Sequence, residues 1–258
     1  MRKPIGTMID RFSPLTNLDA HALELTGFMG AFRYLGAHNF PQWEKGITPE
    51  ELTYIVQNGL KVVFIWESDG IDRAYFTTTQ GVQDAQYVMS ELEYLNIAPS
   101  TNVVVYFSAD FDAVSHADYQ AVDDYLLAVE QTLGGKFGDG IYGDAGLLEY
   151  LFSGKARSKP RHGWQSAGWD DGKVWPHAAA WQYAVEQPVC GMTVDLNHVY
   201  FDPGWFPLDP KPTPVKPQKP VGATYHLTVT NTFPDAQKAA EAALEVSKLG
   251  FDVKVSQN

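Results

Sequence analysis

Val103-Val-Val-Tyr-Phe-Ser-Ala-Asp110-Phe-Asp112 is a run of β-branched and aromatic residues that ends abruptly in two carboxylates. With Pro99-Ser100 before it and residues 113–116 after it, a run this apolar reads as a strand buried on both faces, as inside a parallel sheet. In open α/β sheets and in barrels the active site forms where the strands end, so acids at this end are candidates for chemistry. The i, i+2 spacing points Asp110 and Asp112 the same way if the extended conformation lasts that far.

Other segments repeat the pattern. Gly6-Thr-Met-Ile-Asp10 and Leu60-Lys-Val-Val-Phe-Ile-Trp66-Glu67 are apolar runs closed by an acid, and Met192-Thr-Val-Asp195 is a shorter one. Residues 29–34, 138–143, 163–166 and 178–183 supply further strand candidates. Helices are expected between most of the early ones. Thr48-Pro-Glu-Glu51 offers an N-cap, a proline at N1 and an acid at N3, with Gly59 as a stop. Ala85, Val88, Met89, Leu92 and Leu95 form one helical stripe, and Val122, Tyr125, Leu126, Val129 and Leu133 another, ended by Gly134-Gly135. Strands alternating with helices imply a parallel sheet with right-handed crossovers. Eight strands in the first 206 residues sit at the lower size limit for a (β/α)8, TIM-like barrel, so the last helices should be short or missing. An open doubly wound sheet is the alternative. The barrel is favoured because closure gathers acids from distant strand ends around one mouth.

Residues 207–221 hold six prolines among lysines and read as a semi-rigid linker. Residues 222–258 read as a βαβ module too small to bury much core alone, which should dock or self-associate. The net charge of -12 argues against a phosphate-neutralising surface and hence against nucleic acid. No apolar run long enough for a membrane span or a secretory h-region is present, which predicts a chain made in the cytoplasm. The single Cys190 reads as a small packing residue.

Each of Asp10, Glu67, Asp110, Asp112 and Asp195 could simply cap a following helix. Five at once are harder to assign that way. Several carboxylates in one mouth raise at least one pKa by mutual repulsion, which keeps a general acid protonated near neutrality. Glycoside hydrolysis is the reaction that most directly needs such a pair. Asp-x-Asp can also bind Mg²⁺ or Ca²⁺, but no phosphate-binding glycine loop accompanies it. No zinc spacing occurs among the histidines, and no cofactor is called for.

The ordered set Ile9-Asp10, Phe32-Arg33-Tyr34-Leu35, Lys45-Gly-Ile-Thr48, Val63-Phe-Ile-Trp66-Glu67, Gly81-Val-Gln-Asp84-Ala85, Val105 through Asp112, Gly140-Ile-Tyr142-Gly143, Trp181-Gln182-Tyr183 and Val194-Asp195-Leu-Asn197 resembles the glycoside-hydrolase-like domain of actinobacterial secreted proteins and phage lysins. That domain is similar in turn to the family 25 lysozymes, which are muramidases. The resemblance implies a barrel whose mouth holds Asp10, Asp110, Asp112 and Asp195, with Glu67 close by, acting on cell-wall glycan. It makes Asp112 the general acid, Asp110 the group that polarises or stabilises, Asp10 and Asp195 their tuners, and Glu67 the substitute acid. In the muramidases the second acid of the pair is Glu, whereas Asp112 is one methylene shorter. Tyr34, Trp66, Tyr106, Tyr142, Trp164 and Trp181 become candidate sugar platforms, and Arg33, Gln182 and Asn197 candidate substrate ligands. Action at the wall after release by a holin, or from a virion, fits this resemblance. The tail, residues 222–258, resembles half of a SPOR-type peptidoglycan-binding domain, which implies wall binding.

Overall fold

The computed structural model describes residues 2–169 and 173–207, all within the first of the chain's two units, Met1–Val215. Apart from Pro207, the expected linker and βαβ module lie outside the described residues.

Eight strands close into one barrel in sequence order. They are β1 (Gly6–Asp10), β2 (Gly30–Tyr34), β3 (Lys61–Trp66), β4 (Ser100–Ser108), β5 (Phe137–Gly143), β6 (His162–Gln165), β7 (Ala180–Val189) and β8 (Met192–Val199). Helices α1 (Asn17–Leu25), α2 (Pro49–Gln57), α3 (Thr78–Tyr94), α4 (His116–Leu133) and α5 (Ala145–Phe152) follow the first five strands. Local chemistry sets their limits. Thr48 caps α2 by accepting the Glu51 N–H, Pro49 occupies its first turn, and α4 stops at Gly134 in the left-handed region. None of the five strand-end acids caps a helix; Thr16, Thr48, Thr77, Ser115 and Asp144 do.

The first seven strands run parallel, but β8 pairs antiparallel with both β7 and β1. This departs from the all-parallel expectation for a simple reason. β7 and β8 are joined by the tight turn Cys190-Gly191, both at positive φ, which favours a hairpin over a crossover. Cys190 is therefore exposed at a turn rather than packed in a core.

Side chains alternate across the barrel wall. Met8, Phe32, Val63, Ile65, Val104, Tyr106, Trp164, Ala180 and Val199 fill the inside. Their sequence neighbours Ile9, Ala31, Phe64, Val105 and Phe107 pack outward against the helices. The chain after β8 closes the end opposite the strand-end acids. Tyr106 Oη donates to the Pro203 carbonyl at 2.9 Å, the Val104 N–H donates to the Gly204 carbonyl, and Phe206 exchanges two backbone hydrogen bonds with Val62. Residues 204–206 thus fill the seam between β3 and β4. Gly204 is needed there, since a Cβ would lie 2.2 Å from Val104 Cγ2.

Candidate active site

At the other end the inward positions turn polar. Asp10 follows Met8 on β1 by two residues, Glu67 follows Ile65 beyond β3, Ser108 and Asp110 follow Tyr106, and Asp195 precedes Asn197 on β8. These inward side chains surround a cavity of about 270 Å³ lined by Asp10, Tyr34, Glu67, Ser108, Asp110 and Asp195, with Tyr142, Trp164 and Gln182 completing the wall and residues 167–169 and Val185 at its edge. Four of the five predicted acids meet there. Asp112 does not: β4 ends at Ser108, the chain turns, and Asp112 faces solvent. The i, i+2 argument fails because extended geometry stops before the second acid.

Asp10 and Asp195 are direct cross-strand partners on β1 and β8, a placement in which like charges repel. Gln182 relieves it. Its Nε2 donates to Asp10 Oδ2 and to Asp195 Oδ2, each at 3.1 Å, and its Oε1 accepts from Tyr142 Oη at 2.9 Å. Asn197 Nδ2 donates to Asp10 Oδ2 at 2.7 Å, while Trp164 Nε1 donates to Asn197 Oδ1 at 2.8 Å. Burial, opposed by the Asn197 hydrogen bond and reinforced by the charge of Asp195, raises the Asp10 pKa from 3.8 to about 7. Asp195 is also raised by burial, although the Glu186 N–H donates to its Oδ1 at 2.7 Å. Glu186 sits at positive φ in an irregular part of β7, and such bulges re-aim chain beside active sites.

Across the mouth, Lys45 Nζ lies 3.0 Å from Glu67 Oε1 and 4.8 Å from the Tyr34 ring centroid. Asp110 has its main chain fixed by donation of its N–H to the Gly70 carbonyl at 2.8 Å. Its pKa is raised by burial first and by the Glu67 charge second, and among the described residues its carboxyl has no hydrogen-bond partner. Ser108 Oγ is buried on the cavity wall, also without a partner among the described residues. A cavity with one carboxyl raised by burial, one carboxylate held by a cation and a hydroxyl without a partner among the described residues can donate a proton and stabilise positive charge at one bound molecule.

Several expected ligands lie elsewhere. Arg33 is fully buried on the outward face of β2, its Nε 2.6 Å from Glu51 Oε1; a cation in an apolar strand marked a helix anchor. Trp66 points outward into a cluster with Phe40, Trp43 and Tyr87. Tyr106 is inside the barrel but below the cavity, bonded to the closing segment. Trp181 lies on the outer face beside Tyr183 and His198. Asn197 is buried beneath Asp10 and holds it in place, outside the cavity lining. Of the aromatic candidates, Tyr34, Tyr142 and Trp164 line the cavity. Sequence reasoning missed Lys45, Ser108, Val185 and Trp169. Ser108 was within reach, because it shares the parity of Asp110.

The model of the family described as the Rv2525c-like, glycoside hydrolase-like domain matches residues 21–201. The chain belongs to this family. Among curated relatives, the Bacillus subtilis protein FadG is 27% identical over 141 residues, covering 53% of this chain and 24% of FadG. YbfG of the same organism is 29% identical over 119 residues, covering 40% of this chain and 16% of YbfG. The chain thus spans a quarter or less of the curated relatives it matches. Among solved structures, the Mycobacterium tuberculosis Tat-secreted protein Rv2525c in complex with L-tartrate superposes with a TM-score of 0.63 at 22% identity, covering 77% of this chain and 98% of Rv2525c. That likeness concerns the fold. The Rv2525c-like domain here is a closed, glycoside-hydrolase-like barrel with a carboxylate-lined mouth.

Proposed function

We propose that this Rv2525c-like domain hydrolyses a cell-wall glycan. The observation that carries the reading is the convergence of Asp10, Glu67, Asp110 and Asp195 on one cavity. In this reading Asp110 is the general acid, because its carboxyl has no hydrogen-bond partner among the described residues and is raised by burial and by Glu67. Glu67, held by Lys45, is the charged carboxylate that stabilises the oxocarbenium-like transition state or activates water. Asp10, Asp195 and Gln182 keep the opposite wall at low net charge. The finer proposal is a muramidase-type lysin that cuts β-1,4 bonds next to N-acetylmuramic acid, made in the cytoplasm and reaching the wall through a holin or on a virion.

One observation favours a second reading, a wall-glycan receptor without turnover. Asp112, the position that the muramidase resemblance makes the acid, faces solvent. Release of reducing ends from purified peptidoglycan separates the two. The hydrolase reading expects release by the wild type and its loss in Asp110→Asn and in Glu67→Gln; no release, with retained pull-down on cell walls, establishes the receptor instead.

A further inference from the structure

All seven tryptophans of the chain lie among the described residues, and only Trp169 is exposed, at 48%. It lines the carboxylate cavity, as does Val185, which is also exposed at 48%. Its indole stacks on no other ring among the described residues, whereas Trp43, Trp66, Trp164, Trp175 and Trp181 each pack against neighbouring rings. The backbone makes the placement costly. Trp169 has φ of 65°, a left-handed conformation that bulky residues rarely adopt and that collects at functional sites. Gly168 is next in the chain and could take such a bend without strain. The loop is also tied to the acids, since the Ala167 N–H donates to Gln182 Oε1 at 3.4 Å and Gln182 bridges Asp10 and Asp195.

We propose that Trp169 is the sugar platform of this mouth, its exposed indole face receiving the apolar face of a pyranose ring while the ring's polar edge reaches the carboxylates. Axial C–H groups of a pyranose carry partial positive charge and meet the negative face of the indole. Val185, on the same cavity lining, adds apolar surface to the mouth. The proposal rests on the glycan reading above and names the group that grips the sugar. It also explains why the buried aromatics of the barrel do not serve: Trp66 and Tyr106 present no face to solvent.

The test is calorimetric titration of the N-acetylglucosamine tetrasaccharide, with pull-down on peptidoglycan sacculi as a second probe, and a melting temperature for every protein. The variants are Trp169→Gly, Trp169→Phe and, as control, Trp181→Ala. Trp169→Gly is expected to weaken binding at least about tenfold while its melting temperature stays level or rises, because glycine relieves the φ strain. Trp169→Phe keeps a flat face and should bind within about threefold of wild type. Trp181→Ala should bind as wild type. Binding by Trp169→Gly equal to wild type overturns the platform, as does a loss of binding that comes with a lower melting temperature, which marks a packing residue. Wild type that binds neither probe also overturns it. Wild type that binds but releases no reducing ends defeats the hydrolase reading and leaves the platform standing, whereas Trp169→Gly that binds and cuts like wild type does the reverse.

Discussion

Outside the barrel wall, buried acids meet oriented donors; inside the mouth they meet one another. Glu51 accepts the Arg33 guanidinium and the Leu15 N–H. Glu91 accepts the N–H groups of His38 and Asn39, Asp123 those of Arg157 and Ser158, and Asp144 that of Leu147 at the start of α5. Each of these carboxylates trades hydration for dipoles or a cation, the usual condition for burying charge. Asp10 and Asp195 instead face each other across a shared Gln182 amide, their other donors being Asn197 and the Glu186 N–H, and Asp110 has the Glu67 charge for a neighbour. A buried acid by itself therefore says little about function. What separates the two sets is whether the surrounding groups are arranged to settle the charge or to leave it unsettled.

Replacing an acid from each set should show the contrast at its largest. Asp110→Asn removes a carboxyl that has no hydrogen-bond partner among the described residues, so the melting temperature should hold or rise. Hydrolysis of peptidoglycan should fall by about 10² to 10⁴-fold, the usual contribution of a positioned proton donor. Glu51→Ala is expected to do the opposite. It strands the Arg33 guanidinium, which is fully buried, and breaking such a pair typically costs about 3–5 kcal/mol. Denaturant unfolding should record that loss, while the surviving folded fraction retains its specific activity. A variant pair in which both effects fall on stability would erase the distinction between the two sets.

The sequence carried the barrel more fully than the site. Runs such as residues 103–107 are apolar without alternation, which marks strands covered on both faces, and the caps of α2 and α4 are local and readable. The mouth was legible where a strand keeps its parity up to the acid, as for Asp10, Glu67, Asp110 and Asp195. It was illegible where local geometry breaks that parity. Nothing in Ser108-Ala-Asp-Phe-Asp says that extension stops after Ser108, so the sequence alone points Asp112 into a mouth it does not enter. Arg33 misled for a different reason: its partner Glu51 is 18 residues away on α2, and a lone sequence does not display that pairing. Trp169 sits in an aperiodic loop, where neither helical nor strand periodicity points at a face.

The pH dependence of stability sharpens the comparison at a smaller scale. Asp10 titrates near 3.8 when unfolded and near 7 when folded, so between those values the folded state holds the extra proton. Its contribution to stability is complete below 3.8 and is lost as pH rises through 7. Asp10→Asn keeps an oxygen for Gln182 and Asn197 and should flatten the fall in unfolding free energy across that window, by an amount on the order of a few kcal/mol at most. One acid outside the wall behaves like those inside. Asp139 is raised to about 7 by burial, and its Oδ2 has no partner among the described residues. Asp139→Asn should flatten the same window without touching glycan hydrolysis, whereas Asp10→Asn should alter the pH profile of hydrolysis as well. If both variants changed that profile alike, unpaired burial and not membership of the mouth would be what matters.

The smallest effect belongs to Asp112. It is exposed, caps no helix, since Ser115 performs that role for α4, and stands outside the cavity lining. Removing one solvated surface charge changes stability by no more than about 0.5 kcal/mol in either direction, so Asp112→Asn should melt with the wild type. Its peptidoglycan hydrolysis should remain within about twofold, a difference in barrier of less than about 0.5 kcal/mol. The same measurement on Asp110→Asn gives the scale against which to read it. A large loss in Asp112→Asn with an unchanged melting temperature would mean that the segment after β4 swings inward when glycan binds, extending the strand by one more inward position. In that case parity would hold after all, in the bound state, and the second acid of the pair would rejoin the mouth.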